Sequence, residues 1–263
     1  MDEACVVSDV QWANLEIDIL VCIFQKLEEK DRLIGVPLVC RAWYRASKDP
    51  LYWKHLDLER CYGFNCQIDG WSYLEPHKFL EFVLEKRRGV IHSIVFPSMF
   101  TTETLLLSIA NRSPNIESVV FLDCRQLKGP EEEYKALCEA VSKWPLLKSI
   151  TMDASDCLPK SFWRELERCC TNLSTVKIRG VTLAGKEVAH IVGHLRGIKA
   201  LILDLFFINK EHVVSFLSSC KKLEHFVLRC HVGFEMDIEF LNLASGINFF
   251  RVIESPHHDD SFL

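Results

Sequence analysis

The twelve cysteines and ten histidines are the residues best able to hold a metal or act as nucleophiles, and their spacing argues against both uses. Structural zinc sites draw their ligands from closely spaced pairs, C-x-x-C above all. The chain has no such pair: Cys61 and Cys66 lie five apart, Cys169 and Cys170 are adjacent, and the others are scattered. The densest histidine cluster, His257-His258-Asp259-Asp260, falls in a polar end (256–263) that reads as a disordered tail. A redox role for Cys169-Cys170 needs an activated thiolate, and no feature of the sequence argues for one. Phosphate-cradling GxxxxGK[ST], dinucleotide GxGxxG and nucleophile-elbow GxSxG patterns are absent. The expectation is a protein that is not an enzyme, with no catalytic residue, cofactor or metal of its own.

Composition narrows the partners. Net charge is −5, from 31 Lys+Arg against 36 Asp+Glu, which disfavours a broad electrostatic grip on nucleic acid. No apolar run reaches the length of a membrane helix, and the acidic opening MDEACVVSD does not read as a signal peptide. The expected setting is cytoplasmic or nuclear, where thiols stay reduced and serve mostly as small buried apolar groups.

Stepping along the chain, a frame of three large apolar residues, x-x apart and then x apart, recurs. It runs Ile91–Ile94–Phe96, Ile116–Val119–Phe121, Leu147–Ile150–Met152, Leu173–Val176–Ile178, Ile198–Leu201–Leu203 and Leu223–Phe226–Leu228, with Ile247–Phe250–Val252 a weaker seventh. Successive starts are 25, 31, 26, 25, 25 and 24 residues apart. The last two positions of each frame alternate with other residues, the period-2 signature of a short strand with one buried face. Between the frames lie segments with apolar residues three and four apart, as at Phe162, Leu166 and Cys169 or Val213, Phe216 and Cys220, which read as helices. Thr102, Ser161 and Asn209 are candidate N-caps, and Pro114 and Pro145 stop the helices before them. The long step holds Gly129-Pro130 and Glu131 to Glu133, read as an extended loop and an acidic helix start. A unit of this size cannot bury its apolar face alone, so neighbours must stack. The whole resembles a leucine-rich-repeat solenoid over residues 85–255, with six to seven repeats and a parallel sheet on its concave face.

Residues 12–60 are a different object. Between Ile17 and Leu27, eight of eleven residues are apolar. Ile17, Leu20, Phe24 and Leu27 make one helical stripe, while Ile19 and Ile23 lie on another face. Such excess apolar surface in a small module points to a protein partner. Leu15, Asp18-Ile19-Leu20, Ile23-Phe24, Leu27, Asp31, Leu33, Val39-Cys40-Arg41, Trp43 and Asp49-Pro50-Leu51-Tyr52-Trp53 resemble the F-box motif in order and spacing. The departures are Glu16, where that family commonly has proline, and Arg32, inserted between Asp31 and Leu33.

The resemblance implies an all-α bundle of about three helices that docks on a Skp-type adaptor, and through it on the cullin and RING subunits of an SCF ubiquitin ligase. Carried over, the adaptor contacts are Leu15, Glu16, Ile19, Leu20, Ile23, Phe24, Leu27 and Leu33, with the Val39–Trp43 stretch read as one contributing helix. An F-box also has a core of its own, so Leu20, Phe24 and Trp43 stand open between core and interface. Trp53 is expected to pack where the F-box meets the solenoid, because Trp53–Leu56–Leu58 also fits the repeat frame. Residues 61–84, neither Gly/Ser-rich nor strongly charged, read as a packed joint. An F-box followed at once by short irregular repeats resembles the plant F-box/leucine-rich-repeat family, whose members are substrate-recognition subunits.

For an unknown protein target, the candidate contacts are the strand residues that alternate with the frame. In the later repeats these include Lys177, Arg179, Asp204, His225, Arg229 and Arg251. The cations among them suit an acidic or phosphorylated peptide, or else simply solvate an exposed sheet. Two other classes fit the same residues: a repeat scaffold outside any ligase, which Glu16 favours, and a small-ligand receptor.

Overall fold

A computed structural model describes residues 12–29, 31–62, 90–98, 101–124, 127, 134–153, 158–230 and 236–254. The expected acidic helix start at Glu131 to Glu133, most of the joint at 61–84 and the tail at 256–263 lie outside these residues.

Eight parallel strands form one sheet in strict chain order: β1 (His55–Asp57), β2 (Ser93–Phe96), β3 (Ser118–Phe121), β4 (Ser149–Asp153), β5 (Thr175–Gly180), β6 (Ala200–Leu205), β7 (His225–Cys230) and β8 (Phe249–Glu254). The helices between them from β2 onward are Glu103–Arg112, Lys135–Ser142, Lys160–Cys169, Gly185–His194, Lys210–Ser219 and Ile238–Ala244. Their neighbours in sequence pack as neighbours in space. This is a β–α solenoid, each unit completed only by the next.

The frame predicts the register. Leu56, Ile94, Val119, Ile150, Val176, Leu201, Phe226 and Phe250 are paired rung to rung across all eight strands. Every one of these residues except Phe250 is buried. The sheet therefore begins at His55, one strand before the seven-frame series and inside the segment read as F-box. Before the strands, one carbonyl accepts two successive amides of the next repeat: Lys54 from His92 and Ser93, His92 from Glu117 and Ser118, Lys148 from Ser174 and Thr175. Rings stack along the same layer, Phe96 on Phe121 at 4.9 Å and Phe226 on the half-buried Phe250 at 5.4 Å.

Among the helix starts, Thr102 caps as expected, its hydroxyl accepting from the Leu105 amide at 3.3 Å. Ser161 does not: it lies inside its helix, one residue in, and Pro159 occupies the cap position. Asn209 is at the cap position but makes no side-chain capping bond.

The N-terminal module holds α1 (Ile17–Phe24), a π-helical turn at Asp31–Gly35, α2 (Val36–Val39), α3 (Arg41–Ala46) and a 3-10 turn at Pro50–Trp53 that leads directly into β1. Its buried stripe is Leu20, Val21 and Phe24, not Ile17, Leu20, Phe24 and Leu27. Ile17 is the first helical residue and Leu27 lies past the helix end, so both stay exposed. The Val39–Trp43 stretch is not one helix: Cys40 is extended (φ −161°, ψ 172°) and separates α2 from α3.

Candidate functional site

The N-terminal module is tied to the sheet through one buried guanidinium. Arg32 donates to the carbonyls of Tyr52 (2.5 Å) and His55 (2.8 Å) and forms an ion pair with Glu29. The same Glu29 oxygen accepts from the Asp57 amide of β1 at 3.1 Å. The residue that looked like an insertion is thus accommodated by the π-helical turn, which costs helix regularity and places a fork of donors where module and sheet meet. Rings complete the contact: Phe24 packs on Trp43 (4.8 Å) and Tyr52 (6.0 Å), and Tyr52 packs on Trp53 (5.2 Å). The Trp53 indole donates to the Ser47 carbonyl at 2.7 Å. Sequence reasoning missed the Arg32 contacts; the only signal was the extra residue itself.

Of the eight candidate adaptor contacts, Leu20, Phe24 and Leu33 are buried in the module's own core. In the isolated chain these three serve the core, which for Leu20 and Phe24 is one of the two roles their sequence positions left open. Ile19 is 51% exposed, Glu16 and Leu27 are exposed, and Leu15 and Ile23 are half-buried. Glu16 sits at the N-cap of α1 with φ −58°, within the range that proline imposes, and its side chain makes no capping bond. On α2, Leu38 is 79% exposed and Val39 is exposed as well. Leu38 was not singled out from sequence, although Pro37-Leu38-Val39 is an apolar run beside a turn.

On the outer side of the sheet the half-exposed residues form rows. One row is largely hydroxyl: Ser93, Ser118, Ser149 and Thr175 pair in register. A second runs Val95, Val120, Thr151, Lys177, Ile202, Val227 and Arg251. A third alternates in charge: Asp153, Arg179, Asp204 and Arg229. The six candidate target contacts therefore share one face of β5–β8. They are not all free cations, because Lys177 and Arg229 both reach one Asp204 oxygen at 3.7 Å. Arg179, His225, Arg229 and Arg251 are exposed, and the His225 ring lies 5.9 Å from that of Phe249.

Where this face meets the N-terminal module there is a cleft of about 330 Å³, lined by Lys26, Glu29, Arg32, His55, Asp57 and Ser93 among others. Burial, followed by the charges of Lys54 and Arg32, lowers the pKa of His55. Three of the cysteines show the opposite of activation. Burial pushes the Cys170 thiol up to about 12 and the Cys220 thiol to about 11, and Cys169 is raised by burial and by Glu165. Thiols held protonated are poor nucleophiles. Among the described residues no cluster of three metal-binding side chains occurs, and no helix is long and apolar enough to cross a membrane.

An F-box-like family profile matches residues 12–59. An F-box/LRR-repeat protein of Arabidopsis thaliana is 27% identical over 226 residues, covering 81% of this chain and 70% of its own length. F-box/LRR-repeat protein 22 of the same plant is 27% identical, covering 64% of this chain and 51% of its own, so the chain spans about half of that relative. The F-box protein SKIP19 of Arabidopsis thaliana is 25% identical, with 83% and 68% covered.

Proposed function

We propose that this chain, which is similar to plant F-box/leucine-rich-repeat proteins, is the substrate-recognition subunit of an SCF-type ubiquitin ligase. The N-terminal module takes a Skp-type adaptor and the outer face of the sheet takes a protein target. The subunit contributes position, not bond chemistry: it raises the effective concentration of target lysines near a charged conjugating enzyme.

One observation carries this reading. The module leaves Ile19, Leu38 and Val39 uncovered while Arg32 fastens it to β1. A partner held on that module is then held at a fixed place relative to the sheet. The adaptor surface consists of Leu15, Glu16, Ile19, Ile23 and Leu27, with Leu38 and Val39 added.

Co-expression with a Skp-type adaptor, followed by size-exclusion chromatography, tests it. The expected result is a one-to-one complex, with aggregation when the adaptor is omitted because the apolar face is then bare. A monodisperse chain that ignores the adaptor would overturn the ligase reading in favour of a repeat scaffold.

A further inference from the structure

We infer that the target recognised by this sheet is an extended acidic segment bearing two separate carboxylates beside an aromatic or aliphatic anchor. The inference rests on the reading of the outer face as the target surface and adds the chemical class of the target.

The charge on that face is local. On β5–β8 the outward positions carry Lys177, Arg179, Arg229 and Arg251 against Asp204, with Asp153 of β4 in register beside Arg179, so cations outnumber carboxylates four to two there in a chain whose net charge is −5. Arg179 and Arg251 make no ion pair among the described residues, while Lys177 and Arg229 share the one Asp204 oxygen at 3.7 Å, longer than a close charge-assisted hydrogen bond. The guanidinium forks are therefore available to carboxylates, which they bind in bidentate fashion.

Register sets the spacing. Arg179 and Arg229 flank Asp204 on the neighbouring strands, so their backbones stand two strand spacings apart, about 10 Å. A peptide in the polyproline II conformation advances about 3.1 Å per residue and returns a side chain to the same side every third residue, so carboxylates three residues apart match the two arginines when it runs across the strands. A single phosphate drawing on both arginines would have to sit against the Asp204 carboxylate, and that like-charge contact disfavours it.

Apolar surface lies two residues further along β5 and β6. Val181 (63% exposed) follows Arg179 across Gly180, whose φ of 140° lets the chain turn there. Phe206 (61% exposed) and Phe207 follow Asp204. The ladder continues into this rim, with the Phe206 amide on the Gly180 carbonyl at 3.0 Å and the Phe207 amide on the Val181 carbonyl at 2.9 Å. A rim fixed by backbone bonds offers an anchor site at little ordering cost.

The test uses the full chain in complex with a Skp-type adaptor and fluorescein-labelled twelve-residue Gly/Ser peptides, read by anisotropy. The probe peptide carries two aspartates three residues apart with one phenylalanine beside them. Replacing both aspartates by asparagine, or the phenylalanine by alanine, weakens binding about tenfold. The Arg179→Ala/Arg229→Ala double variant loses about as much, whereas Asp204→Asn, which removes the competing carboxylate, tightens binding several-fold. A gain of affinity cannot come from misfolding. The proposal is overturned if the probe does not bind, if the asparagine peptide binds equally well, if Asp204→Asn weakens binding, or if one phosphoserine in place of both aspartates binds more tightly. Adaptor co-elution, measured on the same samples, shows whether the ligase reading survives such a failure.

Discussion

Arg32 and Tyr52 hold each other twice: the guanidinium donates to the Tyr52 carbonyl at 2.5 Å, and the Tyr52 hydroxyl donates back to the Arg32 carbonyl. Both residues are buried, and the guanidinium lies 5.5 Å from the centre of the Tyr52 ring. Because Tyr52 lies three residues before β1, this pair makes the orientation of the module a property of the sheet.

Arg32→Met keeps the bulk of the side chain and removes its donors. The Glu29 carboxylate and the Tyr52 and His55 carbonyls are then left without that partner in a buried or half-buried place. The expected cost is about 3 kcal/mol, read as a lowered midpoint in urea. If the midpoint is unchanged, the pair is incidental to the joint.

Ile19→Asp and Leu20→Asp are adjacent changes with different expected outcomes. Ile19 is half exposed, so a carboxylate there stays solvated, leaves circular dichroism unchanged and abolishes co-purification with the adaptor. Leu20 is buried, so a carboxylate there costs several kcal/mol and unfolds the module. A folded Ile19→Asp protein that still co-purifies fully with the adaptor would remove this face from the interface.

Why the strands were legible and the interface only partly so has a physical reason. Residues such as Val119, Ile150 and Leu201 announce themselves locally, by alternation within a strand and by return at steps of 24 to 31 residues. The buried side of α1 has no such local mark, because the helix is apolar nearly all round. Trp43 and Tyr52, which cover Phe24, lie far along the chain. Arg32 reads as an insertion for the same reason, since its acceptors are 20 and 23 residues away. The charges of the outer face were visible as residues, but their pairing on Asp204 depends on register between strands.

Glu16→Pro tests whether the departure at that position weakens the module. The backbone of Glu16 already holds φ −58° and its side chain forms no cap, so proline fits without strain and reduces the freedom of the unfolded chain. The expected gain is about 0.5 kcal/mol, with adaptor affinity equal or higher in a titration. Weaker adaptor binding would mean that the Glu16 carboxylate is itself a contact.

His55 makes the joint sensitive to acid. Burial, then the cationic neighbours Lys54 and Arg32, hold its folded pKa below the ordinary 6.5. Below 6.5 the unfolded chain therefore binds a proton that the folded chain resists, and stability falls as pH drops through the folded value. His55 lines the cleft and remains partly exposed, so screening keeps the effect small. Its location matters more than its size: charging His55 adds a third cation beside Arg32 and Lys54 on the carbonyl-rich edge that joins module to sheet. Thermal melts of the wild type at pH 7.5 and pH 5.5 should show a loss on acidification that is smaller in His55→Gln, which cannot take the proton. An equal loss in both proteins would assign the acid sensitivity to other groups.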